Sequence, residues 1–182
     1  TSAGTFGDAP PTALPADAAL HVSLGAVTLA TDPAGLATRR LLERERGQRL
    51  VSLDPNVRPT VIDDLSAYSR TVDEVVRGLD LVKVSDEDLE LLHPDRDALD
   101  VASDWAASGP ALVVVTRGPD GAVAITANGE RAEVPGRAVD VVDTVGAGDA
   151  FTSGLLAHLD RRGNLTRAAL GALGPDELVD AL

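Results

Sequence analysis

Short apolar runs alternate with longer amphipathic segments along most of the chain. The apolar runs are three to five residues long, which suits buried strands, and the amphipathic segments repeat their apolar residues at helical spacing. In the segment 63–78, for example, Leu65, Val72 and Val76 fall on one side of a helix. The pattern predicts strands at 20–24, 50–53, 81–84, 111–115, 123–125 and 138–142, and helices at 33–47, 63–78, 86–92, 97–108, 149–160 and 165–173.

This alternation predicts the fold class. Strands and helices in this order are typical of an α/β fold with a doubly wound, mostly parallel sheet flanked by helices. The run 111–115 is apolar at every position, as expected of a strand covered on both faces. The Gly-Pro-Asp-Gly turn at 118–121 predicts an antiparallel hairpin into the strand 123–125. Residues 1–19 are rich in proline and predict an irregular lead-in.

Polar residues follow directly after several of the predicted strands. They are Asp54-Pro55-Asn56, Ser85, Thr116-Arg117-Gly118 and the stretch from Asp143 to Asp149. In sheets of this class ligands bind beyond the carboxyl ends of the strands. We therefore expect one site at that edge of the sheet.

Composition excludes several classes of function. The 182 residues carry 29 acidic and 16 basic side chains, a net charge of −13, which argues against nucleic-acid binding. The absence of cysteine excludes disulfides and thiolate metal sites, and three scattered histidines argue against a histidine zinc site. No apolar run approaches the roughly 20 residues of a membrane span, and the amino terminus does not resemble a signal peptide. We expect a cytoplasmic protein. Because the chain contains no methionine, we also expect its reading frame to begin upstream.

The most specific feature is the string Val-Asp-Thr-Val-Gly-Ala-Gly-Asp-Ala-Phe at 142–151. Glycines where a strand passes into a helix let backbone N–H groups converge on an anion at the positive end of the helix. Asp149 in the first turn can then accept the proton of an attacking hydroxyl during phosphoryl transfer. The alternative is a glycine turn with an aspartate at a helix start. A dinucleotide fingerprint fits poorly because Phe151 occupies its third glycine position, and no phosphate-binding loop with its lysine is present.

The same string resembles the signature of the ribokinase/PfkB family of carbohydrate kinases. The resemblance implies that Asp149 is the catalytic base. It implies that the amides of Gly146, Ala147 and Gly148 form the anion hole for the transferring phosphoryl group. It also places Asp143 in the neighbourhood of the sugar and of a monovalent cation such as K⁺.

The segment after the second strand, Asp54 to Arg58, is similar to the fructokinase branch of that family. An Asp-Pro-Asn turn is explained by its own local hydrogen bonding, which is the alternative reading. The resemblance implies that Asp54 and Asn56 reach toward substrate and phosphates, and Arg58 could offer a two-pronged contact to a phosphate.

Two further segments belong to the expected nucleotide side. Ser85 and the acid three residues later make a helix cap, which explains them without chemistry. In the family this place holds an Asn-x-x-Glu pattern that helps to hold Mg²⁺ through water. Here Ser85 replaces the asparagine and the shorter Asp88 replaces the glutamate, with Glu87 as a substitute one residue out of register. Ser85 is expected at the ATP site.

The turn after the fourth strand is the second of these segments. Thr116, Gly118 and Gly121 let the backbone approach a nucleotide closely, although they also suit a plain hairpin turn. The resemblance implies that these three residues line the ATP site.

The resemblance extends over about residues 14–182 and leaves two functions open. The first is ATP- and Mg²⁺-dependent phosphorylation of a small sugar, by a partial ribokinase-like domain of residues 1–182 that carries the phosphate side of the site. The second is a truncated, inactive remnant or nucleotide-binding module of the same fold. The Gly-Gly sugar-binding motif and lid of complete family members are not recognisable, and the sugar cannot be identified. A homodimer is expected only of the full-length protein.

Overall fold

The computed structural model describes residues 14–15, 18–23, 25–137 and 145–182. The strand predicted at 138–142 and most of the predicted lead-in lie outside these ranges. The strands are β1 (Leu20–Val22), β2 (Val51–Leu53), β3 (Leu81–Ser85), β4 (Leu112–Thr116), β5 (Ala122–Thr126) and β6 (Arg131–Val134). The helices are α1 (Gly25–Thr28), α2 (Ala34–Glu45), α3 (Leu65–Val76), α4 (Asp86–Leu92), α5 (Ala98–Ser108), α6 (Ala147–Arg161), α7 (Arg167–Gly171) and α8 (Pro175–Ala181).

The six strands form one mixed sheet in the order β1-β2-β3-β4-β5-β6. Strands β1 to β4 are parallel, whereas β5 and β6 pair antiparallel. The mostly parallel sheet and the antiparallel hairpin predicted from the sequence are therefore confirmed. Within the described strands the order runs across the sheet in one direction, so the carboxyl ends of β1 to β4 line up along one edge.

Helices cover both faces of the sheet, as predicted. Alternate residues of β4 divide between the two hydrophobic cores: Val113 and Val115 face one core, and Leu112 and Val114 face the other. The first core contains buried residues of α1 to α5, and the second contains those of α6 and α8 together with Leu170 of α7. Strands buried on both sides explain the continuous apolar runs of the sequence.

Four helix starts carry a side-chain cap, whereas α2, α6 and α8 begin without one. The carboxylate of Asp64 caps α3, that of Asp97 caps α5, and the hydroxyls of Ser85 and Thr166 cap α4 and α7. Helix α6 begins at Gly146, which adopts φ +80° and offers no side-chain cap. Within the described ranges, the first N–H groups of α6 therefore donate no hydrogen bond to a capping side chain.

Element bounds differ from the predicted ones by a few residues. Helix α6 starts at Ala147 rather than 149, and β1 ends early because α1 begins at Gly25. Strand β6 was not predicted, because its sequence Arg-Ala-Glu-Val has a single fully buried side chain, Ala132. Across the described ranges, no helix has both the length and the apolar character that crossing a membrane would require.

Candidate active site

The uncapped start of α6 lies at the carboxyl edge of the sheet. Gly146 takes the left-handed conformation that glycine adopts without strain, and its carbonyl accepts the first helical bond from Ala150 N at 2.8 Å. Asp149 is exposed in the first turn. Leu155 and Leu159, buried further along the helix, hold α6 against the sheet. This arrangement presents free backbone N–H groups and a carboxylate side by side.

The loop after β2 is braced by several hydrogen bonds. Gly25 N donates to Asp54 O at 3.2 Å, and Ala26 N donates to Pro55 O at 2.9 Å. Asn56 has φ 44°, and its backbone N–H donates to the Asp54 carboxylate at 3.1 Å. Asp54 and Asn56 are thus held at the carboxyl end of β2, where the sequence placed them.

A buried ion pair, not predicted from the sequence, lies beneath these two elements. Lys83 Nζ in β3 donates to Asp54 Oδ2 at 3.0 Å, and the two residues are only 5% and 2% exposed. A Cβ atom built on Gly148 would stand 3.1 Å from the same Nζ. The ammonium therefore joins the loop after β2 to the first turn of α6. The available signal was a lysine in the apolar strand Leu-Val-Lys-Val.

His21 in β1 also belongs to this neighbourhood, although the sequence suggested only a structural role. Its Nδ1 shares a hydrogen bond of 2.8 Å with the Ser52 hydroxyl. Burial lowers the pKa of His21, and the charge of Lys83 lowers it further, while Asp54 and Asp149 act in the opposite direction. The imidazole is therefore within electrostatic reach of the ion pair and of the α6 carboxylate.

Ser85 and Asp88 act as a cap and a brace. Ser85 Oγ accepts from Asp88 N at 3.1 Å, and Asp88 Oδ1 accepts from Val57 N at 3.0 Å. Asp88 is 7% exposed, and burial raises the pKa of its carboxyl, with the neighbouring Asp54 carboxylate adding to the rise. Asp88 was expected to help hold a metal ion, but one of its carboxylate oxygens already accepts a hydrogen bond from the backbone of the loop after β2.

Glu87 points to a different place. It is exposed and lines a cavity of about 930 Å³ together with Glu90, Arg96 and Arg117. Among the described residues, no three His, Asp or Glu side chains form a group suited to a metal ion. Glu87 is thus exposed at that cavity, whereas Asp88 is buried against the loop after β2.

The turn after β4 adjoins Ser85. Thr116 lies opposite Ser85 in the parallel pairing of β3 and β4, so the two expected nucleotide residues are neighbours. Gly118 has φ +50° with open space around it. Gly121 has φ +92°, and a Cβ there would collide with the carbonyl of Val134. The packing of the β5–β6 hairpin accounts for Gly121 independently of any ligand.

Two expected residues are not part of this arrangement. Arg58 is exposed, and its guanidinium donates back to Val57 O at 2.8 Å rather than toward Asp54. Asp143 lies outside the described residues.

Comparisons with known proteins give a consistent result. A family model described as pfkB family carbohydrate kinase matches residues 13–173. A fructokinase from Rhizobium leguminosarum bv. trifolii is 41% identical over 162 residues, which are 88% of this chain and 48% of that protein. The chain spans about half the length of the curated relatives it matches.

Two solved structures are similar over nearly the whole chain. A double mutant of the Vibrio cholerae O395 fructokinase, with fructose, ADP and potassium ion bound, superimposes with a TM-score of 0.74 at 31% identity, covering 94% of this chain and 52% of that one. A fructokinase from Xylella fastidiosa with bound ATP gives a TM-score of 0.76 at 25% identity, with 90% and 51% covered.

Proposed function

Because this chain belongs to the pfkB family of carbohydrate kinases, we propose that its full-length protein transfers the γ-phosphoryl group of ATP to a sugar hydroxyl. The observation that carries the proposal is the start of α6. Free N–H groups, Asp149 and the buried Lys83–Asp54 pair meet there at the carboxyl edge of the sheet.

The proposed reaction assigns one task to each group at this helix start. The Asp149 carboxylate accepts the proton of the sugar hydroxyl while the hydroxyl oxygen forms a bond to the γ-phosphorus. The bond from that phosphorus to the oxygen of the β-phosphate breaks, and ADP leaves with the electron pair. The amides of Gly146, Ala147 and Gly148 stabilise the negative charge on the transferring group.

The remaining residues position the two substrates. Asp54 and Asn56 are assigned to the sugar side, where the buried Asp54 acts by holding the loop through Lys83 and the Asn56 N–H. Asp143 is assigned to the sugar and a K⁺ ion from the family resemblance alone. Ser85, Thr116 and Gly118 line the nucleotide. Gly121 supports that turn mainly through packing, as its close approach to β6 indicates.

A magnesium ion fits this site only as a partner of the nucleotide. Mg²⁺ keeps several waters and binds through one or two carboxylates together with substrate phosphates. Asp88 offers one carboxylate, with Oδ1 bonded to Val57 N, so its contact would pass through water. When bound with ATP, the ion would neutralise phosphate charge. Asp88→Asn should raise the Mg²⁺ requirement of turnover more than Glu87→Gln, since Asp88 is held against the loop after β2, whereas Glu87 is exposed at the start of α4. An equal effect of both changes would contradict this assignment.

Fructose is the first candidate substrate, because several of the relatives that match this chain are named fructokinases. We place the protein in the cytoplasm, where ATP is available, and expect the full-length form to be capable of dimerising.

The test measures ADP release by the full-length protein with fructose, ribose or 2-keto-3-deoxygluconate at millimolar concentration. We expect sugar-dependent release with fructose, and a fall of at least about 10²-fold in kcat for Asp149→Asn. ATP affinity should be retained in that variant, because the amides and Lys83 remain. ADP release that does not depend on the sugar, or that is unchanged in Asp149→Asn, would overturn the proposal. Binding of ATP without turnover would favour the nucleotide-binding module instead.

A further inference from the structure

Lys83 is a buried cation whose hydrogen-bonding capacity is only partly used. An ammonium group offers three N–H donors. Among the described residues, the ammonium makes one hydrogen bond, to Asp54 Oδ2 at 3.0 Å. The residue is buried, with 5% of its surface exposed. Burying a lysine ammonium costs folding free energy unless an opposite charge or a bound anion compensates it.

The ammonium points to the start of α6. The position of a Gly148 Cβ lies 3.1 Å from Nζ, and, leaving aside its own helix turn and chain neighbours, no other heavy atom of the described residues comes within 4 Å of that position. Gly148 is in the first turn of a helix of 15 residues whose N–H groups lack a side-chain cap. The ammonium therefore stands next to the positive end of the helix dipole, and the ion pair that it makes with Asp54 lies on the side of the loop after β2 rather than on the side of α6.

The charge also reaches the neighbouring groups. His21 is affected by two carboxylates, Asp54 and Asp149, and by the single ammonium of Lys83. A nucleotide phosphate that approached two carboxylates without a cation would meet repulsion at every oxygen. Lys83 offsets that repulsion from beneath the helix start.

We propose that Lys83 belongs to the anion-binding site at the start of α6 and that its charge, held in place by Asp54, sets the affinity of that site for polyphosphate. The inference rests on the proposed function only in taking a nucleotide phosphate as the natural anion. The competing explanation is a purely structural ion pair that fixes the loop after β2 against β3.

The two explanations predict different changes in anion affinity for the two single variants. If the charge matters, Lys83→Met weakens anion binding by about tenfold, while Asp54→Asn leaves it unchanged or tightens it, because a nearby negative charge is lost. The asparagine still accepts a hydrogen bond from Nζ, so the ammonium stays in place. If the pair is only structural, both single changes loosen the site and weaken binding alike.

The experiment is a double-mutant cycle on the full-length protein at pH 7, with binding of ATP and of inorganic tripolyphosphate measured by calorimetry in the absence of sugar. The double variant Lys83→Met, Asp54→Asn contains no unpaired buried charge, so it keeps the test valid if Lys83→Met alone does not fold. We expect the double variant to bind tripolyphosphate about tenfold more weakly than Asp54→Asn. Equal affinity of these two variants would overturn the inference.

Arg167→Met serves as the matched control. The Arg167 guanidinium pairs with Asp80 at 3.1 Å at the amino end of β3, so its loss should lower stability without changing tripolyphosphate affinity.

The inference and the proposed function can fail separately. The wild-type protein could phosphorylate a sugar while both single variants bind tripolyphosphate equally weakly. That result would contradict the role of Lys83 and support the proposed kinase activity. If Lys83→Met weakens tripolyphosphate binding and Asp54→Asn does not, but the protein phosphorylates no sugar, the role of Lys83 is supported and the proposed kinase activity is contradicted. A wild-type protein that binds neither ATP nor tripolyphosphate would overturn both.

Discussion

At the scale of single residues, Gly148 shows how closely the helix start and the strand below it approach. A Cβ at this position would stand 3.1 Å from Lys83 Nζ, whereas Gly154, two turns along the same helix, has open space around it. A branched side chain at 148 must displace the ammonium or enter the space that a phosphate would occupy in the proposed site.

Gly148→Val should therefore weaken ATP binding at least about tenfold, while Gly154→Val leaves it unchanged and slightly favours the helix. Calorimetric titration of both variants of the full-length protein gives the comparison. Equal affinities in the two variants would mean that the glycines form only a turn.

His21 gives the site a pH dependence whose sign follows from its lowered pKa. The ordinary value is 6.5, and the folded state holds the imidazole neutral below it. Between the lowered folded pKa and 6.5 the unfolded chain binds more protons, so the free energy of unfolding increases with pH and reaches its full value above 6.5.

His21→Gln should flatten the stability profile between pH 5 and 7, which denaturant titration at several pH values would measure. His158→Gln, on α6 away from this cluster, controls for the loss of a histidine as such, and the His21→Gln slope is compared with it. A His21→Gln variant whose free energy of unfolding rises with pH as steeply as that of the wild type would contradict this assignment.

At the scale of elements, the loop after β2 depends on the start of α4. Asp88 Oδ1 accepts the Val57 N–H, but burial raises the pKa of that carboxyl, so its charge costs folding free energy once the pH exceeds the folded pKa.

Asp88→Asn keeps the acceptor and removes the charge, so it should preserve or raise the free energy of unfolding at pH 7. Asp88→Ala leaves a buried N–H without its partner and should lower that free energy by about 1–3 kcal/mol. Chemical denaturation of both variants checks the order. An alanine variant as stable as the asparagine variant would show that the Val57 contact is unimportant.

The elements also show what the sequence could and could not predict. Strands β1 to β5 and most helices were predicted because buried parallel strands and amphipathic helices differ in period. Strand β6 depends on pairing with β5 rather than on its own pattern. The string from Gly146 to Asp149 located the helix start because its chemistry is local. Lys83 and His21 could not be assigned, since their meaning arises only when β1, β2 and β3 align their carboxyl ends.

At the scale of the whole molecule, the site is built at one edge of a sheet and is open on its outer side. Asp149 is exposed, and Val145 beside it is 88% exposed. Among the described residues, none covers the side chain of Asp149 at this helix start. Oriented and enclosed reactants supply about 7–11 kcal/mol of the barrier in reactions of this kind.

The chain of 182 residues by itself is therefore expected to give no measurable sugar-dependent ADP release. Weak tripolyphosphate binding should persist, because the start of α6 and Lys83 are both present. A coupled assay with fructose, compared with the full-length protein, measures this. Sugar-dependent turnover that Asp149→Asn abolishes would mean that these residues suffice.

The burial of Lys83 has a practical consequence, because it is the single lysine among these 182 residues. Amine-acylating reagents should leave its side chain unmodified in the native chain and label it once β3 separates from α6. The extent of acylation at this one position, read by mass spectrometry, would follow local opening of the site without an introduced probe. Bound tripolyphosphate should slow the labelling further, and rapid labelling of the native chain would contradict the burial on which the site depends.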